Sequence, residues 1–136
     1  MIVVDTNVVA YAFIEGDQTT LARQVHKRDP EWRLPSLWKH EFLNVLSTYV
    51  QCGGTGLKES LRLWEKVVGS VEPCERAIDM ALALETAIEH KVSSYDAQFV
   101  VLACSLGTPL VTEDRKLLKA FPRVAISMRR FCASGG

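Results

Sequence analysis

Ile2-Val3-Val4 is an unbroken apolar run that stops at an acid, Asp5, and Leu110-Val111-Thr112 leads in the same way to Glu113 and Asp114. A short run that is apolar at every position, instead of at alternate ones, marks a strand covered on both faces. Such strands belong in the middle of a sheet with helices above and below. Between them the spacing of apolar residues is helical. Helices are predicted over 6–14 and 19–28, the second stopped by Pro30, with a short strand at 32–34 before Pro35. Ser36 is a natural N-cap for a helix over 36–52 whose apolar positions are Trp38, Phe42, Val45, Leu46 and Tyr49. The Gly53-Gly54-Thr55-Gly56 loop ends it.

A further amphipathic helix is predicted over 57–68, carried by Leu57, Leu61, Trp64 and Val68, and a longer one running from near Pro73 through 77–84 to about His90. Ser93 or Ser94 can cap a helix over 95–106, with Gly107 as its C-terminal stop. A short helix over 114–120, broken by Pro122, and a last strand over 124–126 complete the chain. Strands alternating with helices predict an α/β fold with a central, mostly parallel sheet and helices on both faces. With no Pro- or Gly-rich linker and no repeat, residues 1–136 are expected to form a single domain. Ligands of such sheets bind beyond the carboxyl ends of the strands, so function is to be sought there.

Composition narrows the options further. No apolar run approaches the roughly 18 residues that would suggest a membrane span, and Met1 leads into Ile2 without a basic leader, so a cytoplasmic protein is expected. Four scattered cysteines, Cys52, Cys74, Cys104 and Cys132, lack metal-ligand spacing and are expected to be reduced, partly buried thiols. Acids and bases balance at 16 each, which excludes a generally basic nucleic-acid coat. Their distribution is uneven, however. Arg115, Lys116, Lys119, Arg123, Arg129 and Arg130 follow one another with no acid among them, which suggests a local phosphate-binding edge on a neutral body.

Four acids stand where an ordinary solvated carboxylate would not. Asp5 and Asp114 fall at the carboxyl ends of buried strands. Glu41 lies beside Trp38, Phe42 and Val45 at the border of its helix's apolar stripe, and Asp96 shares a face with Phe99, Val100 and Ala103. Each has an ordinary explanation when read alone: Asp5 and Asp114 as helix caps, Glu41 as a salt-bridged boundary residue, Asp96 as an acid in a helix's first turn. Together they would place several like charges in one pocket. That is strongly repulsive unless cations neutralise them or some stay protonated. An oxygen-only ligand set suits Mg²⁺ or Mn²⁺, and ions of this kind serve phosphodiester hydrolysis. Glu113 is expected to be exposed.

Val3-Val4-Asp5-Thr6-Asn7, Glu41 within His40-Glu41-Phe42, Ser94-Tyr95-Asp96-Ala97 and Val111-Thr112-Glu113-Asp114 form an ordered set that resembles the PIN domains, and more closely the VapC-type toxins of toxin–antitoxin pairs. The likeness runs from Met1 to about Phe131. It implies a PIN-like three-layer sandwich and a Mg²⁺- or Mn²⁺-dependent endoribonuclease in which the ion activates water against an RNA phosphodiester. It also implies a homodimer held inactive by a small antitoxin protein. By the same resemblance Asp5, Glu41, Asp96 and Asp114 are the catalytic and metal-binding acids, with Asp5 and Asp96 the first candidates for direct ligands. Asn7 and Thr112 would orient carboxylates or water, and Arg115, Lys116 and Lys119 would grip the RNA backbone. Arg115 and Lys116 stand where some members carry a fifth acid, which leaves the number of metals open.

Two other nuclease-fold roles compete with the toxin reading: a housekeeping RNA-processing enzyme and a non-catalytic binding module. A haloacid-dehalogenase-type phosphatase would need a second Asp where Asn7 stands. No GxGxxG or GxxxxGK[ST] follows a strand, which sets aside dinucleotide and P-loop sites. His26, His40 and His90 are too dispersed for a catalytic pair. The apolar residues Leu61, Trp64, Trp38 and Phe42 are by default core, with a dimer or antitoxin groove as the alternative.

Overall fold

A computed structural model describes residues 1–134. Its centre is the pair of strands that the apolar runs demand. Strand β1 (Ile2–Val4) lies parallel to β3 (Leu110–Val111), with Val3 opposite Leu110 and Val4 opposite Val111. All five residues are at most 1% exposed. On the far side of β1 lies β2 (Trp32–Arg33), and beyond β3 lies β4 (Ala125–Ile126), giving the order β2-β1-β3-β4 with every pairing parallel. Parallel strands need crossovers, and helices supply them.

Helices α1 (Thr6–Phe13), α2 (Thr19–Arg28), α3 (Leu37–Gln51) and α4 (Leu57–Val71) follow one another, α1 packing on both α2 and α3, and α3 on α4. Helix α5 (Met80–His90) lies along α6 (Ser94–Leu106), which packs on β1 and β3. Two short helices follow, α7 (Arg115–Ala120) and α8 (Met128–Ala133), the latter against α2. The result is the expected α/β three-layer sandwich. Helix α6 is apolar nearly all round because it is covered twice: Phe99, Val100, Leu102 and Ala103 join the main core, while Ala97 and Val101 meet Ala83 and Ala87 of α5. Gly107 ends it with φ +65°, a left-handed turn that glycine adopts without strain.

Several sequence expectations are corrected. No helix begins near Pro73. Glu72–Cys74 forms a single 3-10 turn, and the chain then runs extended, with Glu75 bridged in parallel to Leu34 through hydrogen bonds from Leu34 N to Cys74 O (3.2 Å) and from Arg76 N to Leu34 O (2.9 Å). That pairing shields the edge of β2. The helix starts only at Met80, where Asp79 accepts a hydrogen bond from Leu82 N. Ser36 makes no side-chain cap, because its backbone is already helical (φ −59°, ψ −16°). Helix α8 was not foreseen. Trp38 and Phe42 are fully buried core residues, Phe42 stacking on Trp64 at 6.3 Å, whereas Leu61 is exposed. The four cysteines are free, as expected, but Cys52 and Cys104 are exposed instead of partly buried. Among the described residues no helix is long and apolar enough to cross a membrane.

Candidate metal centre

The β1–β3 register decides where the site lies. With Val4 opposite Val111, the next residues, Asp5 and Thr112, emerge side by side at the carboxyl end of the sheet. Asp5 N donates to Val111 O at 3.2 Å, and Thr112 N donates to Ile126 O at 3.0 Å, so both backbones are held by the ladder. The Thr112 hydroxyl donates to Asp5 Oδ2, and Thr112 Oγ1 accepts from Asp114 N at 3.0 Å. Thr112 is completely buried and Asp5 is 7% exposed. One hydroxyl thus ties the first acid to the last.

Asp5 and Asp114 are also helix caps, as their simpler readings required. Asp5 Oδ1 accepts from Val8 N at 3.1 Å, and Asp114 Oδ1 accepts from Lys116 N at 2.8 Å and Leu117 N at 3.2 Å. Each cap uses one oxygen. Asp5 spends its second on Thr112, and among the described residues the second oxygen of Asp114 makes no hydrogen bond. Capping and a metal role are therefore compatible.

Glu41 is half-buried on α3 and accepts a 2.6 Å hydrogen bond at Oε1 from Thr6 Oγ1, the residue after Asp5. Its simpler reading as a salt-bridged boundary residue fails, since among the described residues no Lys or Arg pairs with it. The Lys39 ammonium pairs with Glu72 at 2.7 Å and Glu75 at 3.2 Å, on the side of α3 where Trp38 Nε1 also donates to Glu75 at 2.8 Å. These contacts fix the start of α3 and leave Glu41 to the cavity. Asp96 sits in the first turn of α6, its backbone N–H capped by Ser93 Oγ at 3.0 Å. Helix α6 stands on β1 and β3, so its N-terminus comes to the carboxyl end of those strands.

All four acids line one open cleft of about 560 Å³, together with Thr6, Asn7, Leu37, His40, Asn44, Val45, Tyr95 and Phe99. Among the described residues none of the four forms an ion pair with a Lys or Arg. Their electrostatics show the strain. Burial pushes the Asp5 carboxyl up to about 6, partly offset by its hydrogen bonds from Thr112 and Val8 and reinforced by the charges of Glu41 and Asp114. Burial also raises Glu41, with the Asp96 charge adding to it and the Thr6 hydrogen bond opposing. Asp96 is raised by burial and by Asp114, against the Ser93 hydrogen bond and the nearby Lys116 ammonium.

This donor set fits a hard divalent cation: carboxylate oxygens sharing one cleft, none ion-paired with a Lys or Arg among the described residues. The carboxylates line the cleft and do not clasp its centre, and among the described residues no three Asp, Glu, His or Cys side chains close into a ready-made ligand set. Mg²⁺ tolerates such spacing because it usually keeps several of its waters.

Of the remaining sequence candidates, Asn7 lines the cleft and is exposed, as are Arg115, Lys116 and Lys119 on α7. Lys116 acts electrostatically on Asp96, but none of the three basic residues lines the cleft. Glu113 corrects an expectation. It is half-buried and accepts from Met128 N at 2.9 Å, capping α8. Four cleft residues were given no role by the sequence reading: Thr6, Leu37, Asn44 and Tyr95. Asn44 stands one turn after Glu41, a spacing that could have revealed it. His40 reaches the cleft as an exposed neighbour of Glu41, not as one of a histidine pair.

Replacing Thr112 by Val, which keeps the shape and removes the hydroxyl, leaves Asp5 Oδ2 and the Asp114 N–H without their partners. We expect a loss of about 1–3 kcal/mol in stability and a roughly 10–100-fold loss in Mn²⁺ affinity, read by chemical denaturation and by metal titration. Unchanged metal affinity would show that Thr112 does not orient the acids.

The chain belongs to the PIN-domain family, whose model matches residues 2–125. It is 29% identical over 126 residues to Ribonuclease VapC3 of Pyrobaculum aerophilum, a match that spans 89% of this chain and 95% of that protein. Among solved structures it is similar to the crystal structure of PAE2754 from the same organism, with a TM-score of 0.76 over 96% of this chain and 92% of that one. Sequence identity there is 23%, so this likeness speaks for the fold alone.

Proposed function

We propose that this chain is a Mg²⁺- or Mn²⁺-dependent endoribonuclease and the toxin of a toxin–antitoxin pair. The observation that carries the reading is the meeting of Asp5, Glu41, Asp96 and Asp114 in one cleft, none of them ion-paired with a Lys or Arg among the described residues. Membership of the PIN family and the likeness to a protein named Ribonuclease VapC3 support it. In this reading Asp5 and Asp96 hold the ion directly, and Glu41 and Asp114 complete its surroundings. An ion bound there supplies Lewis acidity toward water and the phosphoryl oxygens.

The chain's own residues do the rest. Thr112 and Thr6 keep Asp5 and Glu41 in place through their hydroxyls, and Asn7 offers an amide at the cleft wall. Lys116, beside Asp96, draws the RNA phosphate toward the acids, with Arg115 and Lys119 continuing the basic edge along α7.

The exposed apolar surface supports two partners in this reading. Leu43, Leu57 and Leu61 rim a groove of about 370 Å³ between α3 and α4, floored by Leu46 and Trp64, which suits an amphipathic segment of a small antitoxin. Met80, Leu84 and Ile88 repeat every fourth residue along α5 and are 60–74% exposed, a self-complementary stripe for a second copy of the chain. A single domain over 1–136 belongs to the same reading, supported by the one main core that β1, β3 and their helices share, and the cytoplasm is its proposed place of action.

The test is cleavage of RNA by the purified protein. Cutting is expected with Mg²⁺ or Mn²⁺, none with EDTA, and recovery when Mn²⁺ is added in excess; Asp96→Asn should not cut under any of these conditions. Cleavage that survives EDTA, or that survives in the variant, would refute the assignment.

A further inference from the structure

The chain has three Trp, three Tyr and five Phe, and among the described residues Tyr95 is the only one of them exposed, at 60%. Folding does not account for it. The packing of α6 is carried by Ala97, Phe99, Val100, Val101, Leu102 and Ala103, and Tyr95 belongs to neither core cluster. Its position is specific: it precedes Asp96 in the first turn of α6 and lines the cleft that holds the four acids. A wet aromatic ring at the mouth of a phosphodiester site has a ready use, because every nucleobase presents a flat face that stacks on such a ring. The amides of Asn7 and Asn44 line the same cleft and can meet base edges as donors or acceptors.

The geometry points to Tyr95 as a stacking platform for one unpaired nucleobase next to the phosphate that is cut. This inference rests on the nuclease reading of the same site. A base within a duplex is already stacked on its neighbours and paired along its edge, so it cannot lie on Tyr95 without first being pulled out. Lys116, beside Asp96, holds the backbone on which that base is carried.

The experiment compares Tyr95→Ala, Tyr95→Leu, Tyr95→Phe and Tyr95→Trp with wild type on an unstructured RNA oligonucleotide. It uses the same sequence closed into a hairpin stem, and versions with one base removed at each position in turn. We expect Tyr95→Ala and Tyr95→Leu to raise KM for the single strand roughly tenfold with kcat held within about twofold. Tyr95→Phe and Tyr95→Trp should match wild type, and the stem should be cut poorly by all. Removing one base beside the cut should weaken wild type by the same factor and cost Tyr95→Ala nothing more. The inference is overturned if Tyr95→Leu behaves as wild type, if no single base matters, or if base removal and Tyr95→Ala add in full. Should wild type cut nothing, the nuclease reading fails by itself, and fluorescence anisotropy of the same oligonucleotides decides the stacking: equal binding by wild type and Tyr95→Ala rejects it.

Discussion

Asp5→Asn should abolish RNA cleavage, lowering kcat/KM by about 10³-fold or more, and should at the same time stabilise the metal-free protein at neutral pH. Both effects come from one negative charge. Asp5 is 7% exposed, sits among Glu41 and Asp114, and titrates at about 6, well above the ordinary 3.8. A displacement of that size corresponds to roughly 3 kcal/mol of unfavourable energy carried by the charged form at neutral pH. Asparagine removes the charge and keeps the shape. Its carbonyl oxygen can still accept from Val8 N, but its amide nitrogen cannot accept the Thr112 hydroxyl, which must turn away. That loss offsets part of the gain, leaving a net stabilisation of about 1–2 kcal/mol, or on the order of 4–8 °C in Tm for a chain of this size. A variant both inactive and destabilised would mean that Asp5 is chiefly a structural cap.

Mn²⁺ should flatten the way stability depends on pH. Without metal, Asp5 binds its proton more tightly in the fold than in the unfolded chain, so its contribution to stability is greatest below about pH 4 and is lost as pH rises through 6. Glu41 and Asp96, raised in the same direction, add to that fall. A divalent ion requires the carboxylates ionised, so its stabilisation grows over the same interval. At a concentration a hundredfold above the dissociation constant it contributes about 2.7 kcal/mol, enough to cancel most of the loss. Thermal unfolding at pH 5 and pH 7.5, with Mn²⁺ and with EDTA, reads this directly. A Mn²⁺-dependent rise in Tm that is small at pH 5 and large at pH 7.5 is expected; equal shifts at both would place the metal away from these acids.

The acids were legible in the sequence because each breaks a local pattern: Asp5 and Asp114 end apolar runs, and Glu41 and Asp96 intrude on apolar helix faces. Burial then follows from periodicity alone, and strand alternation gives the parallel sheet. What sequence spacing could not carry was pairing at a distance. The extended stretch after Cys74 exists because Glu75 bridges to Leu34, about forty residues earlier, and this delays α5 to Met80. Helix α8 has six residues, started by Ser127 and by Glu113 from across the fold and packed on α2. Nothing in its own sequence demands it. Thr6 reads as an ordinary first-turn residue until α3 brings Glu41 against it. Tyr95 is likewise unremarkable as a letter and distinctive only by its exposure beside the cleft.

Calorimetric titration of Mn²⁺ into the metal-free protein at neutral pH asks most directly whether these carboxylates act as one site. Saturable binding to wild type is expected, weakened at least about tenfold in Asp5→Asn and in Asp96→Asn. Absence of binding, or binding that neither substitution disturbs, would contradict a metal centre built from Asp5, Glu41, Asp96 and Asp114.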